Sequence, residues 1–154
     1  MIAAAHAYHA PVLSLLQWRR PASIIAEVRL HHLFEHFEHF EHFEHANALA
    51  LLVRWYDWLA PGGRLDVETP DFDGRIADFE LRHLTDQSLS LRHIFGSQEA
   101  PWAQHYDGWS QARFAAILPR VGYEDLTFER GHSDPRGRLA NVRCHAGKPA
   151  AARS

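Results

Sequence analysis

Cysteine is almost missing from this 154-residue sequence. Cys144 is the one thiol, so no internal disulfide can staple the fold, which suits a reducing compartment. Glycine is absent before Gly62, which excludes a glycine-rich nucleotide turn from the first 61 residues. Basic residues neither dominate nor cluster. Lys and Arg number 16 against 19 Asp and Glu, a net charge of −3, and their scatter gives no electrostatic footprint for nucleic acid. No apolar run is long enough to span a bilayer. The opening stretch Met1 to Leu16 is apolar, but no basic region precedes it, His6 and His9 interrupt it, and Arg19 and Arg20 follow it. That order is wrong for a secretory signal, and a cytoplasmic location is expected.

What is present describes an ordinary globular chain. Hydrophobic residues make up 46% and charged residues 23%, so one compact domain with a single core is expected. The 13 histidines add positive charge as pH falls through about 6.5.

Ile24, Ile25, Val28 and Leu30 mark Ser23 to His31 as a covered strand. From Ala46 to Leu59, Leu49, Leu52, Val53, Tyr56 and Leu59 recur at helical spacing, with Trp55 and Trp58 widening the stripe. Pro61-Gly62-Gly63 stops that helix, and Arg64 to Thr69 follows as a strand closed by Pro70. Strand, helix, strand predicts a right-handed crossover with parallel pairing, hence an α/β fold. Further on, a helix is predicted near Arg75 to Leu84, then a loop-rich segment to Gly108. Ser110 is placed as the N-cap of a helix to about Arg120, with Gly122 past its end. Leu126 to Arg130 and Leu139 to His145 read as an antiparallel pair joined through Asp134-Pro135-Arg136-Gly137. Residues 1–22 are left unassigned, and the tail from Lys148, the domain ending at that residue, is expected to fray.

Phe-Glu-His occurs four times in succession, from Phe34 to His45. On an α-helix three residues turn about 300°, so the phenylalanines drift around the cylinder instead of forming one stripe. The tract reads either as a short duplication tolerated at a helix start or as a metal-binding or self-associating element. Its first copy also completes His32-Leu33-Phe34-Glu35-His36, the H-x-x-E-H pattern of a zinc hydrolase. That motif needs a continuous helix, whereas His31 and His32 end a strand, and spacing singles out no downstream acidic ligand. No metal ligand set is assigned.

Five stretches in order resemble the type 11 group of class I S-adenosylmethionine-dependent methyltransferases. The strand into His31-His32-Leu33-Phe34-Glu35-His36-Phe37 is similar to that family's fourth strand and the loop after it. Trp58-Leu59-Ala60-Pro61-Gly62-Gly63-Arg64-Leu65 is similar to the end of its next helix and the start of its fifth strand, and Thr69-Pro70-Asp71-Phe72 to that strand's end. Arg92 to Gln98 with His105 to Trp109 resembles a substrate-side insertion, and Gly122-Tyr123 with the last two strands resembles the closing hairpin. Coverage runs over residues 23–148.

The resemblance implies a partial Rossmann-like sheet, mostly parallel, with an antiparallel C-terminal hairpin. It implies S-adenosylmethionine as cofactor and an unidentified methyl acceptor as partner. His31, His32, Phe34, Glu35 and His36 are the implied cofactor-side residues, because ligands in such sheets lie beyond the carboxyl ends of the strands. Asp71, Phe72, His93, Gln98 and Trp109 are the implied acceptor-side residues, with His105 the candidate base. Taken singly, Trp109 also reads as core and His93 as a structural histidine. Full-length members open with a strand, a glycine-rich turn and a helix, then an acid that binds ribose hydroxyls. Here those seats are expected to be lacking, to be supplied by an upstream segment or another chain. A non-catalytic module pairing through the open edge of the strand at Ala26 to His31 is the second reading, and a zinc hydrolase the third.

Overall fold

A computed structural model describes residues 2–4, 23–36, 44–81, 84–100, 103–132 and 140–150. The chain runs through β1 (Ile2–Ala4), β2 (Ile25–His31), a single 3-10 turn (Phe34–His36), α1 (Glu44–Trp58) and β3 (Leu59–Pro70). Then follow α2 (Phe72–Leu81), α3 (Leu84–Phe95), α4 (Gln111–Val121), β4 (Glu124–His132) and β5 (Ala140–Gly147). The five strands form one sheet in the order β1-β2-β3-β5-β4. β1, β2 and β3 are parallel, while β5 runs antiparallel to both β3 and β4. This is the α/β sheet with a closing antiparallel hairpin that the sequence pattern implied.

The edge of β2 is partly covered, contrary to the open edge expected there. Ile2, Ala3 and Ala4 pair with Glu27, Val28 and Arg29. Of the Phe-Glu-His tract, residues 37–43 lie outside the described residues, as does most of the unassigned N-terminal stretch.

α1 buries Leu52, Trp55 and Trp58 of the stripe its spacing suggested, but not Leu49 or Val53. Ala48, Leu51, Leu52, Trp55 and Trp58 face the core, whereas Leu49 and Val53 remain 38% and 47% exposed. The two indoles carry the largest apolar areas on the helix, and burying both sets its rotation. The helix stops before Pro61, since Leu59 already pairs with Ile25. Between that pair and Glu27↔Arg64 the register shifts, so Ala60 to Gly63 bulge out of the ladder. Gly62 has φ +77°, and a Cβ on Gly63 would lie 2.8 Å from the Ala60 carbonyl oxygen. Two glycines are thus required for two different reasons.

The expected tail is pinned at its start. Lys148 donates its backbone N–H to Gly63, and its Nζ reaches the carbonyls of Tyr56 and Leu59 at 2.9 and 2.8 Å. An ammonium on the Tyr56 carbonyl, in the last turn of α1, and on the Leu59 carbonyl just past it satisfies an orphan acceptor and complements the helix dipole. Downstream, Ser110 caps α4 with its side chain accepting from Arg113 N–H, and Gly122 closes it at φ +113°. Phe114 and Leu118 of α4 join Phe34, Trp55, Trp109 and the sheet residues Leu65, Val67 and Val142 in one core.

The segment read as loop-rich contains α3. The stretch Leu84 to Phe95 carries serines at 88 and 90, but α3 packs on α2, and Gln87 Nε2 donates to the Phe79 carbonyl. Tertiary packing supplies what propensity does not. Among the described residues no helix is long and apolar enough to cross a membrane.

Candidate functional site

The carboxyl ends of β2 and β3 converge on a shallow, open cleft. Glu35, Thr69, Phe72, Arg75, His93 and His105 line it, together with Asp107 and Gly108. β3 ends in Pro70, which pairs with Asn141 but has no N–H to donate, and Asp71, its N–H on the Ala140 carbonyl, turns the chain into α2. Phe72 N–H donates to the Trp109 carbonyl, holding the α2 start against the 103–109 loop. Gly108 lies so close to the Phe72 ring that a Cβ there would come within 2.5 Å of it.

Glu35 is the buried anchor of the site. Its Oε2 accepts from Thr69 Oγ1 at 3.1 Å and its Oε1 contacts His32 Nδ1 at 3.2 Å. Its backbone carbonyl accepts from Tyr106 N–H, which ties the loop to the 3-10 turn. Burial by itself would raise the Glu35 carboxyl, but the hydrogen bond and charge of His32 outweigh it and hold it below its ordinary value. The same pairing raises His32 against its own burial. His32 has φ +46°, a left-handed conformation rare for a side chain of this size. Its Nε2 lies 2.9 Å from Asn141 Nδ2, and the same amide donates to Glu68 Oε1 at 3.0 Å.

His105 donates from Nδ1 to the His93 carbonyl at 2.9 Å, which fixes its tautomer and leaves Nε2 as the basic nitrogen. The His93 ring is pushed down to about 4, by burial first and then by the charge of Arg75. Arg75 is itself 1% exposed and pairs with Asp78 at 3.2 Å. Asp107 receives the fork of Arg113, with Nη2 to Oδ2 at 2.9 Å.

The candidate residues therefore separate. Glu35, Phe72, His93 and His105 meet in the cleft. Phe34 faces the opposite way, 1% exposed, with its ring 4.6 Å from Trp109 and 5.8 Å from Trp55. Trp109 is buried in the same aromatic cluster, with the Arg113 guanidinium 4.1 Å over its ring. It lies behind the cleft rather than in its lining, for the ordinary reason that a large indole is best spent in a core. Asp71 is buried under the α2 start, with Arg130 Nε 3.5 Å from Oδ2. Gln98 lies on an exposed turn at φ +56°, outside the lining. His31 stands at the outer end of β2, exposed, and the His36 side chain lies outside the described residues. The H-x-x-E-H residues do not share a continuous α-helix, since His32 precedes a 3-10 turn.

Thr69, Arg75, Asp107 and Asn141 were not singled out from the sequence. Arg75 had a signal in its position one turn after Asp71, whereas Asn141 had none, because only strand pairing brings β5 beside β3.

No family model and no curated protein matches this sequence. Solved structures do. A S-adenosylmethionine-dependent methyltransferase from Archaeoglobus fulgidus aligns over 90% of this chain and 66% of its own, at 13% identity and a TM-score of 0.58. A methyltransferase from Methanosarcina mazei aligns over 88% and 64%, at 9% identity and 0.57. The 1,6-didemethyltoxoflavin-N1-methyltransferase of Burkholderia thailandensis, solved with 1,6-didemethyltoxoflavin and S-adenosylhomocysteine bound, aligns over 87% and 48%, at 13% identity and 0.56. The chain thus has the fold of the C-terminal part of these class I methyltransferases, and it spans about half to two-thirds of their length. At these identities the likeness is one of fold.

Proposed function

We propose that these residues form the acceptor-side part of a S-adenosylmethionine-dependent methyltransferase, acting in the cytoplasm. The observation that carries the reading is the cleft at the carboxyl ends of β2 and β3, where this fold class places its ligands. It gathers two histidines, a buried arginine and a buried glutamate.

The cofactor-side residues do not fit a nucleoside by themselves. Phe34 is committed to the core, both Glu35 oxygens are engaged, and no glycine occurs before Gly62. We therefore assign the nucleoside seat to other residues, on an upstream segment or a second chain. What this chain contributes is positioning and proton transfer. His105, held by the His93 carbonyl, offers Nε2 to the proton of an acceptor hydroxyl or amine. The low basicity of His93 keeps that neighbouring ring neutral at pH 7, so it adds no charge to compete for the acceptor.

Calorimetric titration of the 154-residue chain with S-adenosylhomocysteine tests the division of labour. No binding heat is expected up to millimolar ligand, and micromolar affinity would overturn it. Genomic sequence coding upstream of Met1 for a strand, a glycine-rich turn and a helix, or an adjacent gene coding for them, would support the reading. Their absence from both places would count against it.

A further inference from the structure

We propose that His31, His32 and Glu68, with Asn141 beside them, form a binding site for a divalent transition-metal ion of the Zn²⁺ class. This site does not depend on the methyltransferase reading.

Adjacent residues of a regular strand point to opposite faces, so two consecutive histidines ordinarily cannot share an ion. Here the left-handed φ of His32 breaks that alternation immediately after β2 ends. The two rings come to 4.8 Å between centroids, edge to face. Parallel pairing sets His31 opposite Glu68 on β3, and antiparallel pairing of β5 sets Asn141 opposite Pro70 at the same end of the sheet. Three strands thus deliver two imidazoles, a carboxylate and an amide to one spot.

The spacing suits coordination. Ligand atoms of His31, His32 and Glu68 lie within 4.8 Å of one another. Around a tetrahedral zinc with bonds near 2.0 to 2.1 Å, ligand atoms stand about 3.3 Å apart. Glu68 Oε2 to His31 Nδ1 is 3.1 Å, and Asn141 Nδ2 lies 2.9 Å from His32 Nε2 and 3.0 Å from Glu68 Oε1. Turning the Asn141 amide over would present Oδ1 to the same place, as a fourth donor and the second oxygen. The exposed His31 side chain is free to close the remaining distance by rotation.

The surroundings of His32 match those of a metal-bearing imidazole. Such histidines commonly give their second ring nitrogen to a carboxylate, which fixes the tautomer and raises ligand basicity. Glu35 does this at Nδ1 and is itself held by Thr69, so the nitrogen that remains, Nε2, faces Asn141 and Glu68. Two imidazoles and one carboxylate make a donor set for zinc or another borderline divalent ion, rather than for calcium or magnesium.

The test must separate this site from the histidine tract that follows it. An untagged chain with His36, His39, His42 and His45 all changed to Gln is titrated with Co²⁺ alone. Visible absorption and a competing chelator are the two readouts. One Co²⁺ per chain is expected, with d–d bands of a low-symmetry site, and His31→Ala or Glu68→Gln should each weaken it at least tenfold. Both side chains reach the surface, so both variants should fold, which far-UV circular dichroism checks. Failure to bind Co²⁺ in the tract variant, or unchanged affinity in either substitution, would overturn the proposal.

Discussion

Acidification should destabilise this protein through His93, and the size of the effect follows from its surroundings. An imidazole in the unfolded chain titrates near 6.5, whereas in the fold burial and the Arg75 charge bring His93 down to about 4. Between those values the unfolded chain holds a proton that the folded one does not. Stability is therefore complete above about pH 6.5 and falls as pH drops towards 4. A drop from 6.5 to about 4, at about 1.4 kcal/mol for each tenfold change in proton affinity, sets an upper bound of about 3.5 kcal/mol. By pH 4.5 roughly 2 kcal/mol should be lost, since residual solvation of the ring trims the total. The assay is urea unfolding of wild type and His93→Gln at pH 7.5, 6.5, 5.5 and 4.5. Glu35 and Asp66, whose carboxyls are held low by His32 and Arg143, also lose stability in acid, but they do so in both proteins. The gap between the two curves should change by about 2 kcal/mol across the series. Parallel curves would show that His93 titrates alike in both states and would refute the reasoning.

Phe34→Ala removes a ring packed on Trp55, Trp109 and Phe114 and should cost about 3–5 kcal/mol, read from the urea midpoint. Gly63→Ala should cost about 1–3 kcal/mol, because its Cβ meets three backbone oxygens, whereas Gly131→Ala, with nothing within 4 Å, should change stability by less than about 0.5 kcal/mol. The Cys144 thiol is buried and pushed up to about 12 by that burial, so a thiol reagent at pH 8 should label it in urea but not in the folded protein. Fast labelling of the native chain would show that β5 opens.

The local chemistry of this chain was legible without coordinates. Ser110 and Gly122 announced the two ends of α4 because capping depends on the residue itself and its immediate neighbours. The apolar run of β2 and the Pro-Gly-Gly break were readable for the same reason, whereas the turn expected at Asp134 to Gly137 lies outside the described residues. They fixed the strand–helix–strand order, from which the parallel sheet followed. The rotation of α1 was readable only in part: the spacing named Leu52, Trp55 and Trp58, which are buried, together with Leu49 and Val53, which are not.

Sites were harder still. The sequence placed His31, His32 and Glu35 near a strand end, yet it gave no reason to join them to Glu68, Thr69 or Asn141. Those partners lie 34 to 109 residues away along the chain. Likewise the resemblance set Phe34 on the cofactor side and Trp109 on the acceptor side, whereas the fold packs the two rings against each other, the core role that Trp109 taken singly suggested. Sequence by itself determined which segments could be strands, which could be helices and where each had to stop, because those preferences are local. Only the tertiary structure decided which side chains share a cleft and which share a core. Register between distant strands and competition for buried volume are properties of the assembled sheet, carried by no single segment.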